Sequence, residues 1–365
     1  MQLTFAGDLI LDEPNPDHWL SGIAPALRDA DIAIGHLEVP HTTSSDELVG
    51  DVPAPAAPPE HLGALARAGF DAVTLAGNHI ADRGPSGIAE TIETLDSLQI
   101  AYTGAGSNLA EARRPAYLSA GARTVALLSY NCVGPEAAWA REDRAGCAYI
   151  YVWPAGEGPI APATPLERPD PASLGHMAAD IQAARQRADL VIVALHKGIV
   201  HTRARLAPYE RPVAHAAIDA GADIVIGHHA HIVRGIELHR GKPIFHGLGN
   251  GCVVTRALSP DQAHPARAAW ARKRRAMFGF DPDPAYPLAP FHPEAVNAFL
   301  GRVEVSGSGA LRVGLRPVDV EPPGRPVIAR TEARDRICRY VEAITVEAGL
   351  PPLRLQMEGD DAWLM

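Results

Sequence analysis

The sequence predicts an α/β fold in which helices cover both faces of a β-sheet. Short apolar runs, which fit buried strands, alternate with amphipathic helical patterns through the first 226 residues. After Gly227 the pattern changes to successive strands without helices between them. This second group suggests another sheet packed on the first, so the chain is expected to form a layered sandwich.

Each predicted element is defined by its pattern of apolar residues. Buried strands are predicted at 3–6, 32–34, 72–75, 125–128, 190–195 and 224–226, and amphipathic helices at 59–68, 87–98, 173–187 and 209–220. Later strands are predicted at 233–238, 242–245, 301–305 and 311–318, and a last helix at 331–347. Two stretches, 133–172 and 256–294, fit no element, and we interpret them as long loops, which in compact domains are usually functional or disordered.

The charge of the chain restricts its partners. Its 365 residues carry a formal net charge of −10, which disfavours broad contacts with nucleic acid or an anionic membrane. A small anion held by a metal ion stays compatible with this charge, because a local dication outweighs distant surface charge. We see no signal peptide and no apolar stretch near the ~20 residues of a membrane span. The sequence therefore predicts a soluble, cytoplasmic protein.

Polar side chains follow five of the six early strands. They are Asp8 after the first strand, His36 and Glu38 after the second, Asn78 and His79 after the third, His196 and Lys197 after the fifth, and His228, His229 and His231 after the sixth. In an open α/β sheet, ligands bind beyond the carboxyl ends of the strands. Mixed carboxylate, amide and imidazole groups suit borderline divalent cations such as Zn, Mn or Fe. These strand ends predict a metal site.

The segment 227–231 is the strongest single motif in this series. Alternation along an extended segment would place the rings of His229 and His231 on one side. His228 would then be a further ligand, a hydrogen-bond donor behind the ligands, or a packing residue.

The motifs together resemble the CapA family of capsule and poly-γ-glutamate synthesis proteins, within the calcineurin-like metallophosphatase superfamily. The matching residues are Gly7-Asp8, Leu37-Glu38, Gly77-Asn78-His79 with Asp82 and Gly84, His196-Lys197-Gly198, Gly227-His228-His229-Ala230-His231 and Gly247-Leu248-Gly249-Asn250. The resemblance covers roughly residues 1–330 and implies a four-layer α/β/β/α sandwich of metallophosphatase type. Residues 331–365 are interpreted as a C-terminal helix and tail packed on that domain.

The resemblance also implies roles for individual residues. The implied ligands of one or two divalent transition metals (Mn, Zn or Fe) are Asp8, Glu38, Asn78, His196, His229 and His231, with Glu38 or Asn78 as a bridge between two ions. His79 would be the general acid or would stabilise a developing oxyanion, and Asp82 would orient it. The residues expected to contact substrate are His36, Lys197, His201, Arg203 and His228.

The sequence departs from the family pattern at several positions. His36 stands where an N-L-E-type motif carries Asn, so it would ligate or hydrogen-bond instead. Lys197 replaces the Trp of an H-W-G-type motif, and with His201 and Arg203 it would form either an anion pocket or a solvated loop. Gly251 replaces the aromatic residue that follows Leu-Gly-Asn. These changes indicate a small substrate other than a capsule polymer.

The predicted function is a metal-dependent hydrolase that acts on a small anionic molecule. The sequence leaves a phosphoester and an amide or lactam equally open as the bond that is cleaved. One alternative is a non-enzymatic partner in poly-γ-glutamate or capsule polymer assembly. Another is a metal-dependent lyase or isomerase on the same site, because a hydroxide also acts as a base.

Overall fold

The computed structural model describes residues 1–48, 56–161, 164–259 and 261–365. Its strands are β1 (Gln2–Leu11), β2 (Ile32–Leu37), β3 (Ala72–Thr74), β4 (Ala101–Thr103), β5 (Ala105–Gly106), β6 (Ala116–Ala120), β7 (Arg123–Asn131), β8 (Gly146–Cys147), β9 (Val152–Pro154), β10 (Leu166–Pro169), β11 (Leu190–His196), β12 (Ile224–His228), β13 (Ile236–His239), β14 (Lys242–Phe245), β15 (Asn250–Val254), β16 (Asn297–Val305), β17 (Leu311–Glu321), β18 (Arg325–Ile328), β19 (Leu355–Glu358) and β20 (Asp361–Leu364). Its α-helices are α1 (Pro16–Leu20), α2 (Ala24–Arg28), α3 (Gly63–Ala68), α4 (Gly84–Ser97), α5 (Leu109–Ala112), α6 (Pro171–Arg185), α7 (Glu210–Asp219), α8 (Pro265–Phe278) and α9 (Thr331–Glu347).

Two large mixed sheets form the centre of the molecule. The larger sheet has the strand order β19-β20-β17-β16-β1-β2-β3-β4, with β15 also paired to β1 and β18 also paired to β17. The smaller sheet has the order β13-β14-β12-β11-β7-β6. In both sheets the strands nearest the candidate site run parallel: β1 with β2, and β11 with β12. Their carboxyl ends are therefore aligned.

Strand alternation explains why the two sheets stack. Residues of one parity, such as Phe5 and Ile34 in the larger sheet and Leu127 and Ile192 in the smaller, pack into one buried cluster. The ring of Phe245 lies 6.3 Å from that of Phe5 within this cluster. Residues of the other parity join a second core that also holds the buried faces of α3, α4, α6 and α7. Helix α9 instead packs into the first cluster through Cys338, Val341 and Ile344. The fold is thus a helix, sheet, sheet, helix sandwich, and the predicted fold class is confirmed.

The distribution of strands between the sheets differs from the expectation. The strands after Gly227 do not form a second sheet of their own: β13 and β14 extend the smaller sheet, whereas β15 to β20 extend the larger one. Strand β16 pairs antiparallel with β1 from Gln2↔Glu304 to Phe5↔Gly301. Each sheet therefore combines early and late segments of the chain.

The two stretches expected to be loops contain regular structure. Residues 265–278 form the helix α8, so the expectation of a loop at 256–294 is corrected there. The stretch 133–172 carries the short strands β8, β9 and β10. Residues 162–163 and 260 of these stretches lie outside the described residues. Across the described parts of the chain, no helix has both the length and the apolar character that crossing a membrane requires.

Candidate metal centre

The predicted strand ends converge between the two sheets, not along the edge of one. The larger sheet contributes Asp8 from β1 and Glu38 from just beyond β2, while the smaller sheet contributes His196 at the end of β11. Since β1 and β12 approach each other, the carboxyl ends of both parallel sets face one space. Every side chain of the resulting cluster is held by a buried strand or by the residues that directly follow one.

Four side chains form the centre of this cluster. Asp8, His36, Glu38 and His196 each place a ligand-type atom within 4.8 Å of those of the other three, and all four are essentially inaccessible to solvent. The Oε2 atom of Glu38 lies 3.4 Å from Nε2 of His36, and its Oε1 atom lies 3.8 Å from Nε2 of His196. The Glu38 carboxylate therefore lies between two imidazoles.

The remaining predicted ligands lie around this centre. The Nε2 atom of His196 is 2.7 Å from Oδ1 of Asn78 and 3.1 Å from Nδ1 of His229. His231 approaches both carboxylates: its Nδ1 is 3.3 Å from Asp8 Oδ2, and its Nε2 is 3.9 Å from Glu38 Oε1. The six residues predicted as metal ligands are thus assembled in one place.

The backbone around His229 and His231 differs from the predicted extended segment. These residues lie in a bend after β12, with positive φ angles of 88° and 54°. A left-handed conformation costs a non-glycine residue about 1–3 kcal/mol, and such strain is concentrated at functional sites. The prediction that strand alternation aligns the two rings was therefore wrong in its reason. The bend brings them to the cluster, and the His229 amide donates to both oxygens of Asp8 at 3.4 and 3.3 Å.

Several buried polar atoms of the cluster have no hydrogen-bond partner among the described residues. They include both carboxylate oxygens of Glu38, Nε2 of His36 and Nε2 of His229. A buried polar group left unpaired costs about 1–3 kcal/mol, and more when it is charged. Two donor atoms bound to one zinc ion at about 2.1 Å in tetrahedral geometry lie about 3.4 Å apart, which is the separation between Glu38 and His36. The residues present therefore fit a divalent cation.

The electrostatics of the cluster favour the same conclusion. Burial raises the pKa of Asp8 well above its ordinary value, and the nearby Glu38 carboxylate raises it further. Burial lowers the pKa of His229 to about 3, and it also lowers the pKa of His196 and of His231. These imidazoles are neutral near pH 7, which is the form that binds metals. Two close carboxylates among neutral imidazoles form a site that a cation stabilises.

His79 and Asp82 form a pair beside the cluster. Nδ1 of His79 donates a hydrogen bond of 2.8 Å to Oδ2 of Asp82, and both side chains are largely buried. His79 lines a cavity together with the rings of His229 and His231. Trp270 and Phe278 contribute apolar surface to the same cavity.

The residues expected to contact substrate lie in three different places. His201 lines the cavity, with its ring 5.6 Å from that of His231. His36 belongs to the central cluster, and the ring of His228 stacks on it at 4.8 Å. Lys197 and Arg203 do not reach the cavity lining.

Lys197 and Arg203 are engaged elsewhere. Nζ of Lys197 is fully buried and donates to Oε2 of Glu210 at 2.9 Å and to the carbonyl oxygen of His246 at 3.2 Å. Arg203 forms ion pairs with Glu294 and Glu347 at the surface. The sequence-based expectation of an anion pocket built from these two cations is therefore corrected.

Comparison with known proteins identifies the family. The family model described as "Bacterial capsule synthesis protein PGA_cap" matches residues 2–253. The chain belongs to the PGA_cap family. This confirms the resemblance inferred from the motifs. The match ends at residue 253, before the helix α8.

Individual PGA_cap relatives share a quarter to a third of their residues with this chain. It is 25% identical over 261 residues to the capsule biosynthesis protein CapA of Bacillus anthracis, covering 68% of this chain and 59% of that protein. It is 35% identical over 199 residues to a probable polyglutamine synthesis accessory protein of Mycobacterium tuberculosis, covering 53% of this chain and 47% of that protein. The chain thus spans about half to three fifths of the length of these relatives.

Solved structures similar to this PGA_cap chain are distant in sequence. The sulfate thiohydrolase SoxB of Thermus thermophilus superposes with a TM-score of 0.42 at 10% identity, covering 90% of this chain and 46% of that chain. The calcineurin-like phosphoesterase YfkN of Bacillus subtilis superposes with a TM-score of 0.33 at 12% identity, covering 95% and 97%. The fold assignment rests on the sheets and helices described above.

Some residues of the PGA_cap site were missed by sequence reasoning. Oδ1 of Asn250 lies 3.0 Å from Nδ1 of His231, and the Thr74 hydroxyl lies 2.9 Å from Nδ1 of His36. Asn250 ends the Gly247–Asn250 motif, so its motif was a usable signal. Thr74 had none, because a threonine inside a strand is ordinary. The aromatic residues of α8 were also missed, because the stretch 256–294 was interpreted as a loop and not as a helix.

Proposed function

We propose that this protein is a metal-dependent hydrolase of a small anionic substrate. The observation that carries the proposal is the Glu38 carboxylate, which is buried without a hydrogen-bond donor among the described residues and lies between the imidazoles of His36 and His196. This carboxylate lies beside a cavity that the His79–Asp82 pair adjoins. A binding site for a cation next to an acid–base pair is an arrangement that suits metal-assisted hydrolysis.

The proposed ligands of one or two Mn, Zn or Fe ions are Asp8, Glu38, Asn78, His196, His229 and His231. Glu38 would hold a metal through either carboxylate oxygen, because its Oε2 faces His36 while its Oε1 faces His196 and His231. A bound ion would lower the pKa of its water from 15.7 to about 7 and so supply hydroxide at neutral pH. All six proposed ligands are buried, in a strand or shortly after one.

His79 is the proposed general acid. Its Nδ1–H bond to Asp82 fixes the orientation of the ring, so that Nε2 is the nitrogen that would donate to a leaving group. Asp82 acts through His79 and is therefore a positioning residue. Proton donation by His79 suits the departure of either an alkoxide or an amine, so a phosphoester and an amide fit equally well.

The lining of the cavity indicates which kind of substrate would fit. Lys197 and Arg203 are engaged elsewhere, so the metal centre itself is the proposed binding site for the substrate's anionic group. Trp270, Phe278 and Phe291 line the same cavity as His79, His229 and His231. We therefore propose a substrate with an apolar part attached to a phosphoryl or acyl group.

A non-enzymatic role in capsule polymer assembly is the second candidate. It is favoured by the names of the relatives, which describe capsule biosynthesis and polyglutamine synthesis accessory proteins. An accessory protein would bind metal at this site without turning over any small substrate. The catalytic assay therefore separates the two candidates.

The test combines metal analysis with turnover. Elemental analysis of the purified protein should find one or two equivalents of a divalent transition metal, and the double variant His229→Ala/His231→Ala should lose it. Wild-type protein should hydrolyse a member of a phosphoester panel or of a γ-glutamyl and cyclic-amide panel. Metal without turnover of either panel would instead support the accessory role.

His79→Gln should retain the metal while its kcat falls about 10²–10⁴-fold. His18→Gln changes an exposed histidine outside the cluster and is the matched control. Full activity of His79→Gln would remove His79 from the mechanism.

A further inference from the structure

We propose that His36 is an additional nitrogen ligand of the metal centre, that Thr74 holds it in the ligating tautomer, and that it makes the site selective for zinc. This inference rests on the proposed metal site and concerns which residues define it. For His36 the sequence left ligation, hydrogen bonding and substrate contact open, and this proposal selects ligation.

The register of β2 and β3 places Thr74 beside His36. His36 on β2 pairs with Thr74 on β3, so the two side chains lie on the same face of the sheet. The Thr74 hydroxyl lies 2.9 Å from Nδ1 of His36 and 3.5 Å from the carbonyl oxygen of Gly35. The hydroxyl is thus placed to accept a hydrogen bond from Nδ1–H of His36 while its own hydrogen is directed to the carbonyl oxygen of Gly35.

The surroundings of His36 indicate which of its ring nitrogens carries the proton. Its Nε2 atom lies 3.4 Å from Glu38 Oε2 and has no hydrogen-bond partner among the described residues. A proton on Nε2 would draw the carboxylate into an ordinary hydrogen bond of about 2.7–2.9 Å. We therefore assign the proton to Nδ1, which donates a hydrogen bond to the Thr74 hydroxyl. The lone pair of Nε2 and the Glu38 carboxylate then face each other, and this pair needs a cation between them.

The ring of His36 is closely packed on several sides. His36 is stacked against His228 at 4.8 Å and lies 4.6 Å from the ring of His196. A Cβ atom at Gly77 would lie only 2.9 Å from Nε2 of His36. Glycine at 77 therefore leaves the space that the imidazole occupies, and the rings of His228 and His196 pack against it. This packing and the Thr74 contact hold Nε2 toward Glu38.

The consequence is selectivity. With His36, His196 and His231, three imidazoles surround the Glu38 carboxylate. Imidazole nitrogen favours zinc, whereas oxygen ligands favour magnesium and manganese. Replacing His36 with an amide of similar shape should therefore weaken zinc more than manganese.

The test measures metal binding and does not depend on activity. Zinc and manganese affinities are determined by competition with a chromophoric chelator for wild type, His36→Asn, Thr74→Val and Thr74→Ser. Thr74→Val should weaken zinc about 10–100-fold, the usual effect of removing a group that orients a ligand, and Thr74→Ser should restore the affinity. His36→Asn should lower zinc affinity at least as much and manganese affinity less.

Thr91→Val is the matched control, because Thr91 is equally buried but bonds His41 away from the cluster. It should bind zinc as wild type does, which separates loss of a ligand's orientation from general loss of stability. Histidine ¹⁵N NMR of the metal-free wild type should show an Nδ1–H tautomer signal that is missing in His36→Asn, while the signals of the other histidines remain.

The outcomes separate the two proposals. Wild-type zinc affinity in both His36→Asn and Thr74→Val overturns this inference and leaves the hydrolase standing. A wild-type protein that binds zinc with the expected variant pattern but hydrolyses nothing supports this inference and overturns the hydrolase. A wild type that binds neither ion overturns the metal centre, and this inference with it.

Discussion

Replacing Lys197 with methionine distinguishes the structural interpretation of this residue from the one that its sequence position suggests. In the structure, its ammonium group is buried against Glu210, His246 and the backbone. Methionine keeps the shape of the chain and removes the charge. The structure predicts that this change lowers stability, whereas an anion-binding role predicts a higher KM at unchanged stability.

The expected loss of stability in Lys197→Met follows from the burial of the Lys197–Glu210 ion pair. Glu210 accepts from Lys197 at 2.9 Å and from the Ala207 amide at 2.6 Å, and neither Lys197 nor Glu210 is accessible. Removing one partner of such a pair costs about 3–5 kcal/mol, because the other charge stays buried and uncompensated. With an unfolding entropy of about 2.1 cal/mol/K per residue, a chain of 365 residues should lose about 4–6 °C in Tm.

The pH dependence of this loss has a definite sign. Burial alone would raise the pKa of Glu210, but the charges of Lys197 and Arg234 lower it below its ordinary value of 4.5. A carboxylate with a lowered pKa stabilises the fold above pH 4.5 and loses that contribution as the pH falls through its folded-state pKa. Lys197→Met should therefore destabilise the protein more at pH 7 than at pH 4.

The assay is thermal unfolding followed by circular dichroism at both pH values. Lys197→Met/Glu210→Gln should recover part of the lost stability, because no charge is left unpaired. Arg203→Met breaks exposed ion pairs and should cost at most about 1 kcal/mol. An unchanged Tm together with a raised KM in Lys197→Met would refute the structural interpretation.

Three further predictions concern the cavity and the buried histidines. Asp82→Asn should lower kcat about 10–100-fold with the metal content unchanged, and equal activity in a saturating assay would contradict its positioning role. Phe278→Ala should raise KM about 3–10-fold by removing apolar cavity surface while kcat stays within twofold, and a KM equal to wild type would mean that substrate does not reach α8. Burial lowers the pKa of His41 and of His246 to about 4 each, so the unfolded chain takes up protons first and the metal-free protein should lose stability as pH falls from about 7 to 5. Unfolding midpoints in denaturant that do not move over that range would contradict this linkage.

The convergence of the side chains at the candidate metal centre was predictable, because runs of apolar residues show where each buried strand begins and ends. The runs that precede Asp8, His196 and His229 are buried in the structure as they were predicted to be. Parallel pairing then aligns strand ends without further information. The sheet to which each strand belongs was not predictable in the same way. Strand β16 pairs with β1 across about 300 residues of sequence, and an apolar pattern identifies a strand but not its partner.

The misassignment of Lys197 has a simple structural origin. His196 ends a strand with its side chain toward the site, so the next residue leaves the backbone on the opposite side. There it meets Glu210 at the first turn of α7. Because Lys197 directly follows the proposed ligand His196, it was expected to lie in the site. Strand alternation predicts the opposite, namely that Lys197 points away from the site, and this could have been inferred from the sequence.

The helix α8 shows why the substrate does not follow from the family. Its run of basic residues hides a stripe in which Trp270, Arg274 and Phe278 recur at every fourth position. Arg274 is buried and bonds the carbonyl oxygens of Leu258 and Pro290, so α8 is fixed over the cavity by main-chain contacts. The family match ends at residue 253. The proposed metal ligands therefore lie within the PGA_cap match, whereas the aromatic residues of the cavity, Trp270, Phe278 and Phe291, lie beyond it. The proposed substrate class is therefore to be tested by substitutions in α8, because the family match does not extend to that helix.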